Sequence, residues 1–351
     1  MSSVLPPAAR PGRPPTRPGN ALTDVAGVAV GHAQGASEGV LCGLTVVLPY
    51  PAATVRRRLY AGRWSLDGGG SMTGIQVVED FGCLSSPVVL SPGAAVGTVY
   101  EGLVASGLRR DGGLSTAAGW PPLVLGLDDA LWNPPAAVHA AVQRSHLEEA
   151  MAQASGNPVQ QGSVGIGTGL CAFGLRGGVG SASRRVGGDL VVAVLVAANG
   201  GDRRAFRVAG APLGEVLEPG PPAVPLPRSC AAVLATDAPL LPLQLDRLAG
   251  RAALGLARIG LLGPEERSGQ VLAFSTTAIR REAGPEDAVE QAETVADAVL
   301  YDLAGAAAEA AEEAVLNALL CAQPAPDRTP PLASLETTNW RAALERWGAG
   351  R

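Results

Sequence analysis

The sequence predicts an α/β or α+β chain in which helices are layered over sheet, and three observations carry that prediction. Short apolar runs of strand length alternate with longer stretches of helical spacing from one end of the chain to the other. The 351 residues are 47% hydrophobic and only 17% charged, which is ample for a substantial core in one large domain or two. Glycine (46) and proline (29) are abundant but fall between the apolar runs, so they mark tight turns and not low-complexity tracts.

Taken in order, residues 1–20 are Pro/Arg-rich, lack an apolar signal-peptide core, and read as a disordered leader. Residues 25–32 and 43–48 predict strands, the second a continuous apolar run. Residues 67–73 form a Gly-rich turn, and 74–80 open a helix. Residues 87–90 and 122–127 have the short apolar character of buried strands, while 94–106 and 136–155 predict helices. The second helix meets a stop at Gly156, Asn157 and Pro158. Residues 162–184 are Gly/Ser-rich; 189–198 predict a strong strand that ends at Asn199, Gly200 and Gly201.

A Pro- and Gly-laden linker, 209–228, runs into a strand at 231–235. A helix over 241–259, a strand at 271–275 and a long Ala/Glu-rich helical region over 286–323, interrupted near Gly305, complete the predicted domain of residues 21–323. The remainder, 324–351, is Pro-rich at its start and is expected to be peripheral. No repeat with a period of about 20–50 residues is present.

Composition narrows the function. Net charge is −5, aromatics make up 4%, and no basic run exceeds Arg56, Arg57 and Arg58, so nucleic acid is not an expected partner. No stretch reaches about 18 uninterrupted apolar residues, so no membrane-spanning helix is predicted. The five cysteines (Cys42, Cys83, Cys171, Cys230 and Cys321) are odd in number and scattered, with no C-x-x-C pair. They predict a reduced, cytoplasmic protein.

The stretch over 227–238 carries the most chemistry. The linker meets the strand with a hydroxyl and a thiol, Ser229 and Cys230, at the seam. A Ser-Cys pair there is ordinarily just a loop end, but the same seam suits a self-cleaving hydrolase. Cutting the chain at the first strand residue frees an α-amine, whose pKa of about 7.7–8.0 lets it act as base without a histidine. Either Ser229 or Cys230 could be the nucleophile. Asn199, at a strand end, is a turn residue or an amide donor to an oxyanion. Ser268, Gly269 and Gln270 read as a turn before the next strand.

Other motifs read as structure. Gly35 to Gly39 matches G-x-S-x-G, but it precedes a strand where a nucleophile elbow must open a helix. The glycines at 165, 167, 169, 174, 177, 178 and 180 fit no phosphate-binding pattern and predict close backbone packing. His32, His139 and His146 have no carboxylate completing a metal-ligand spacing.

Several of these segments, in this order, make the chain resemble the DmpA-type serine aminopeptidases, a family that includes β-aminopeptidases and D-amino-acid amidases. The resemblance runs from about Asn20 to Gln323 and is carried by residues 21–32, 43–49, 164–169, 173–184 and 235–238. It implies a four-layer αββα sandwich, similar to the N-terminal nucleophile hydrolases but wound differently. It also implies cleavage between Arg228 and Ser229 into pieces of 228 and 123 residues that stay together. Ser229 matches the family's nucleophile, Asn199 its oxyanion asparagine, and Ser268 with Gln270 its Ser-Gly-acid motif. The implied substrate is a small peptide or amide, with no metal or organic cofactor. The implied assembly is a homo-oligomer of processed two-chain protomers.

Three residues depart from the family pattern. Arg228 stands where Gly or Asn usually precedes the nucleophile. Gln270 replaces an acid and cannot ionise. Leu131, beside Trp132, replaces a tyrosine at the expected substrate pocket. These departures support an alternative reading in which the fold persists as a binding or scaffolding protein.

Overall fold

The computed structural model describes residues 11–12, 18–35, 39–50, 58–67, 71–114, 121–217, 229–263, 268–280 and 291–349. In chain order its elements are β1 (Ala29–Gln34), β2 (Gly43–Leu48), β3 (Arg58–Ser65), α1 (Ile75–Phe81), β4 (Cys83–Leu84), β5 (Val88–Pro92), α2 (Val96–Arg110) and β6 (Leu123–Leu127). There follow α3 (Pro135–Ala141), α4 (Arg144–Gln153), β7 (Cys171–Ala172), β8 (Leu175–Arg176), β9 (Gly178–Val186) and β10 (Leu190–Ala198). The last are α5 (Leu213–Val216), β11 (Ser229–Thr236), α6 (Pro242–Arg258), β12 (Ser268–Arg280), α7 (Asp297–Cys321) and α8 (Trp340–Ala349).

Two sheets dominate. One has four strands in the order β1-β2-β5-β6; the other has six in the order β4-β3-β12-β11-β10-β9. Within them β5 pairs with β6 and β11 with β12 in parallel, and the remaining pairs are antiparallel. Side-chain alternation shows how they stack. On β11, Ala231, Val233 and Ala235 join a core shared with Val47, Leu90 and Leu125 of the other sheet. Cys230, Ala232 and Leu234 join a different core shared with α6 and α7. On β2, Leu44, Val46 and Leu48 pack with Leu103 of α2 and Leu147 of α4. Three cores between four layers make the αββα sandwich that the resemblance implies.

The helices are held by small residues at close crossings. α6 buries Leu245, Leu248, Ala249, Ala252 and Leu256 at the spacing of one helical face. α7 is alanine-rich where it lies on β9, and there Gly180 is obligatory: a Cβ would sit 1.9 Å from the Ala314 carbonyl oxygen. Gly165, Gly167, Gly169, Gly177 and Gly178 likewise approach backbone too closely for a Cβ, whereas Gly174 has room for one and adopts a positive φ instead.

Several predicted elements need correction. The helix predicted over 136–155 is two, because Val142 and Gln143 are extended and Gln143 caps α4. The long C-terminal helix begins only at Asp297 and passes through Gly305 unbroken; residues 291–296 have no regular structure, and 281–290 lie outside the described residues. β3 and β9 are additional to the predicted elements, the first because arginines interrupt its apolar pattern and the second because its Gly/Ser content reads as loop. The segment after residue 323 is not peripheral: Leu335 and Trp340 are buried in the core that α6 and α7 share. Most of the 1–20 leader lies outside the described residues, but Asn20 is buried, with its amide donating to Glu313. No helix of the described residues is long and apolar enough to cross a membrane.

Candidate active site

Strand register gathers the predicted site residues. Ser229 opens β11 and lies opposite Ser268, the first residue of the parallel β12, while Gln270 lies opposite Ala231. β10 runs antiparallel to β11 with Ala197 opposite Ala231, so Asn199, just past the end of β10, arrives beside Ser229. Parity does the rest. Ala197 on β10, Ala231 on β11 and Leu272 on β12 all face the opposing sheet. Asn199, Ser229, Ser268 and Gln270 are an even number of residues away on the same strands, so they share that face. Gly200 and Gly201, both at positive φ, turn the chain away immediately after Asn199.

The second sheet supplies the other half. β6 ends at Leu127, and the next residue, Asp128, donates its backbone N–H to Ser229 Oγ at 2.8 Å. The Asn199 Nδ2 donates to the same oxygen at 3.3 Å and to the Asp128 carbonyl at 2.7 Å. Asn199 Oδ1 accepts from the Cys171 N–H at 3.2 Å, which fixes the orientation of the amide. Two N–H donors therefore converge on the hydroxyl oxygen and orient it, and they lie next to the place where the oxygen of an attacked carbonyl would come. On the strand beside Ser229, Ser268 Oγ and Gln270 Oε1 are buried and have no hydrogen-bond partner among the described residues.

A cavity of about 210 Å³ opens at Ser229 and is bounded by Gly93, Ala94, Gly126, Asp128 and Asp129 among others. Asp129 is the residue sequence reasoning missed. It is 5% exposed. Burial pushes its carboxyl up to about 6, against the opposing pull of its hydrogen bond from Asn133. The available signal was parity: Leu123, Leu125 and Leu127 all face the inter-sheet core, and Asp129 continues their spacing.

The remaining candidates fall elsewhere. Neither Leu131 nor Trp132, predicted to line the substrate pocket, borders this cavity. The Trp132 Nε1 donates to the Pro330 carbonyl at 3.0 Å, and its ring lies under the Arg176 guanidinium. Cys230 is 1% exposed and sits in the helix-facing core, on the opposite face of β11 from Ser229. Arg228 lies outside the described residues, as do residues 36–38 of the G-x-S-x-G stretch; the next regular element after Gly39 is the strand β2. His32 is held at 3.0 Å from Thr45 Oγ1, and burial pulls its imidazole down to about 4. His139 and His146 sit on separate short helices. No group of three or more His, Cys, Asp or Glu that could hold a metal ion occurs among the described residues.

Known proteins share this architecture. The model of peptidase family S58 matches residues 20–329. The chain is 35% identical over 335 residues to the β-peptidyl aminopeptidase BapA of Sphingosinicella microcystinivorans, covering 86% of this chain and 82% of that protein. The solved structure of a β-aminopeptidase from a Burkholderia species superposes with a TM-score of 0.85 at 35% identity, over 96% of each chain. The L-aminopeptidase D-Ala-esterase/amidase of Ochrobactrum anthropi, described as a prototype of the serine aminopeptidases and a variant of the Ntn hydrolase fold, superposes with a TM-score of 0.84 at 30% identity, over 97% of this chain and 98% of that one. By sequence along most of its length and by fold in all four layers, the chain belongs to peptidase family S58 and is a peptidase-type hydrolase.

Proposed function

We propose that this chain is a self-processing serine aminopeptidase or amidase that releases the N-terminal residue of small peptides or amides through an acyl-enzyme on Ser229. The observation that carries the reading is the pair of N–H donors, from Asp128 and Asn199, aimed at the oxygen of the first residue of a strand. In the maturation step Ser229 Oγ attacks the Arg228 carbonyl carbon and the Arg228–Ser229 amide becomes an ester. Water then hydrolyses the ester, leaving a carboxylate on Arg228 and an α-amine on Ser229.

In turnover that amine takes the hydroxyl proton as Oγ attacks the substrate carbonyl, and Asn199 with the Asp128 N–H stabilises the oxyanion. The protonated amine passes its proton to the departing amine. Water, deprotonated by the same base, frees the acid product. Ser268 Oγ and Gln270 Oε1 accept hydrogen bonds from the new amine and hold it over Oγ. Gln270 does this without ionising, so the amine is the single proton carrier. The orientation of Cys230 into the helix-facing core favours the hydroxyl over the thiol.

An intact mass spectrum of the denatured protein tests this. Two pieces meeting between Arg228 and Ser229 in the native sequence, and one full-length mass for Ser229→Ala with turnover lost by at least about 10⁴-fold, are expected. A junction between Ser229 and Cys230 would transfer the role to the thiol. A single mass for the native chain, with no amidase activity, would favour the non-catalytic reading that Arg228 and Gln270 motivate.

A further inference from the structure

We infer that Arg176 is a positioning residue for the hydrolysis: it holds the Asp128 N–H and the Asn199 amide in register beside Ser229, acting through Trp132 and through the Leu170–Cys171 peptide. The inference rests on the aminopeptidase reading of Ser229. The two donors come from different sheets, and one bond, from Asn199 Nδ2 to the Asp128 carbonyl at 2.7 Å, links them directly. A donor pair split between two sheets keeps its geometry only when the supports behind each donor are tied together, and small misplacements are costly in rate. Arg176 ties them. It is 3% exposed and does not border the cavity at Ser229, so it acts through its neighbours and not on the substrate.

The guanidinium gives most of its hydrogens to backbone. Nε donates to the Gln323 carbonyl at 3.0 Å and Nη1 to the Leu170 carbonyl at 3.4 Å. Nη2 donates to the Thr168 carbonyl at 2.9 Å and to Ser163 Oγ at 3.1 Å. Toward Asn199 the path is one peptide plane long. The Leu170 carbonyl, which also accepts from the Gly177 N–H at 3.0 Å, shares its plane with the Cys171 N–H, and that N–H donates to Asn199 Oδ1 at 3.2 Å. Toward Asp128 the path runs through an indole. The guanidinium carbon lies 4.8 Å from the centre of the Trp132 ring, in the loop that leaves β6 and begins at Asp128. The bond from Trp132 Nε1 to the Pro330 carbonyl pins the other edge of that ring.

A buried arginine ordinarily has a carboxylate beside it. Among the described residues none lies at ion-pair distance from Arg176. Burial pulls its guanidinium down to about 10, which leaves it charged at neutral pH. Carbonyl and hydroxyl oxygens in place of a carboxylate favour geometry over charge balance: a planar fork meets four acceptors at its rim while its face lies on the indole. A lysine has the charge but neither the plane nor the fork. Because one rigid group grips both the peptide behind Asn199 and the ring behind Asp128, its removal loosens both donors together.

The test uses the full-length purified protein, 3-aminopropanoyl 4-nitroanilide as substrate and the variant Arg176→Met, with turnover counted per processed chain. kcat is expected to fall by about 10²-fold while KM changes by no more than about threefold. Arg176→Lys, which keeps the charge, is expected to recover part of kcat. A merely structural role would lower the unfolding midpoint and leave kcat per folded chain unmoved, which would overturn the inference. Backbone hydrogen exchange, read by mass spectrometry, separates the positioning from the chemistry. Faster exchange at both the Asp128 and the Cys171 amides in Arg176→Met, with β11 and β12 unchanged, supports the inference even if the native protein hydrolyses no anilide, a result that would count against the reading of Ser229 alone. Unchanged exchange at either amide, or uniformly faster exchange along the chain, would overturn it. If Arg176→Met does not fold, Trp132→Leu takes its place. Faster exchange at the Asp128 amide and a kcat lower by about 10-fold are then expected, and a native value for either would overturn the inference.

Discussion

Between β9 and α7 the carboxylate of Glu313 is fully buried, and beside Ser229 the carboxylate of Asp129 is buried almost as deeply. Their surroundings differ. Glu313 accepts from the Arg184 guanidinium at 2.7 Å and from the Asn20 amide at 2.7 Å, and Arg184 also lies 3.6 Å from Glu309. Asp129 is met by the Asn133 side-chain amide, by its own backbone and by a cavity. Both carboxylates are withdrawn from water, but among the described residues only Glu313 has a cation at ion-pair distance. A buried acid with its cation in place ties an early residue, a strand and a helix together; the buried acid beside the cavity instead has its pKa raised by desolvation.

The two acids should therefore respond to mutation in opposite ways. Glu313→Ala leaves Arg184 buried and short of its nearest partner, and we expect a loss of about 3–5 kcal/mol of stability in urea unfolding. An unchanged midpoint would mean that Glu309 alone balances Arg184. On the cavity side, Asn199→Ala removes one of two donors at Ser229 and should lower kcat by about 10²–10³-fold, with KM much less affected. A change in KM alone would remove Asn199 from oxyanion stabilisation.

Asp129→Asn should raise stability. Its folded pKa of about 6 lies above its ordinary value of 3.8, so ionisation at neutral pH works against folding. Stability carried by the protonated form is present below about pH 4 and is lost as pH rises through about 6. The amide is expected to add about 1–3 kcal/mol at pH 7 and to flatten the unfolding profile between those values. Loss of stability in this variant would show that Asn133 needs the charge.

The smallest effect is expected at Gln270→Glu. A carboxylate beside the Ser229 α-amine favours its protonated form, and the base must be neutral to act. The acid limb of kcat/KM should therefore move up by about one pH unit. A limb that stays in place would separate Gln270 from the base.

Much of the frame that holds these two acids is legible in the amino-acid order. Leu190–Ala198 and Gly43–Leu48 are unbroken β-branched and apolar runs, and both form strands close to the predicted limits. The Ser229 seam and the strand-end Asn199 are readable because turn chemistry flanks them. β9 is not legible, because its glycines and serines look like loop until α7 is laid across it and leaves no room for a Cβ at Gly180. Asp128 and Asp129 are adjacent and chemically alike in sequence. Both border the cavity, and which of them is buried depends on the pleat of β6, a strand whose exit can be located in the sequence but whose partner across the sandwich cannot.

Periodicity, turn residues and side-chain type are local properties of the chain. They set the alternation of elements, the nucleophile candidates and the chemical departures at Arg228, Leu131 and Gln270. Packing then assigned Cys230 to the helix-facing core and Ser229 to the edge of the cavity. It also turned Trp132 to Pro330 and away from the cavity, and placed Asp129 against empty space. Strand register and the stacking of two sheets bring residues about 30 to 100 positions apart to one oxygen, and no local pattern records that pairing.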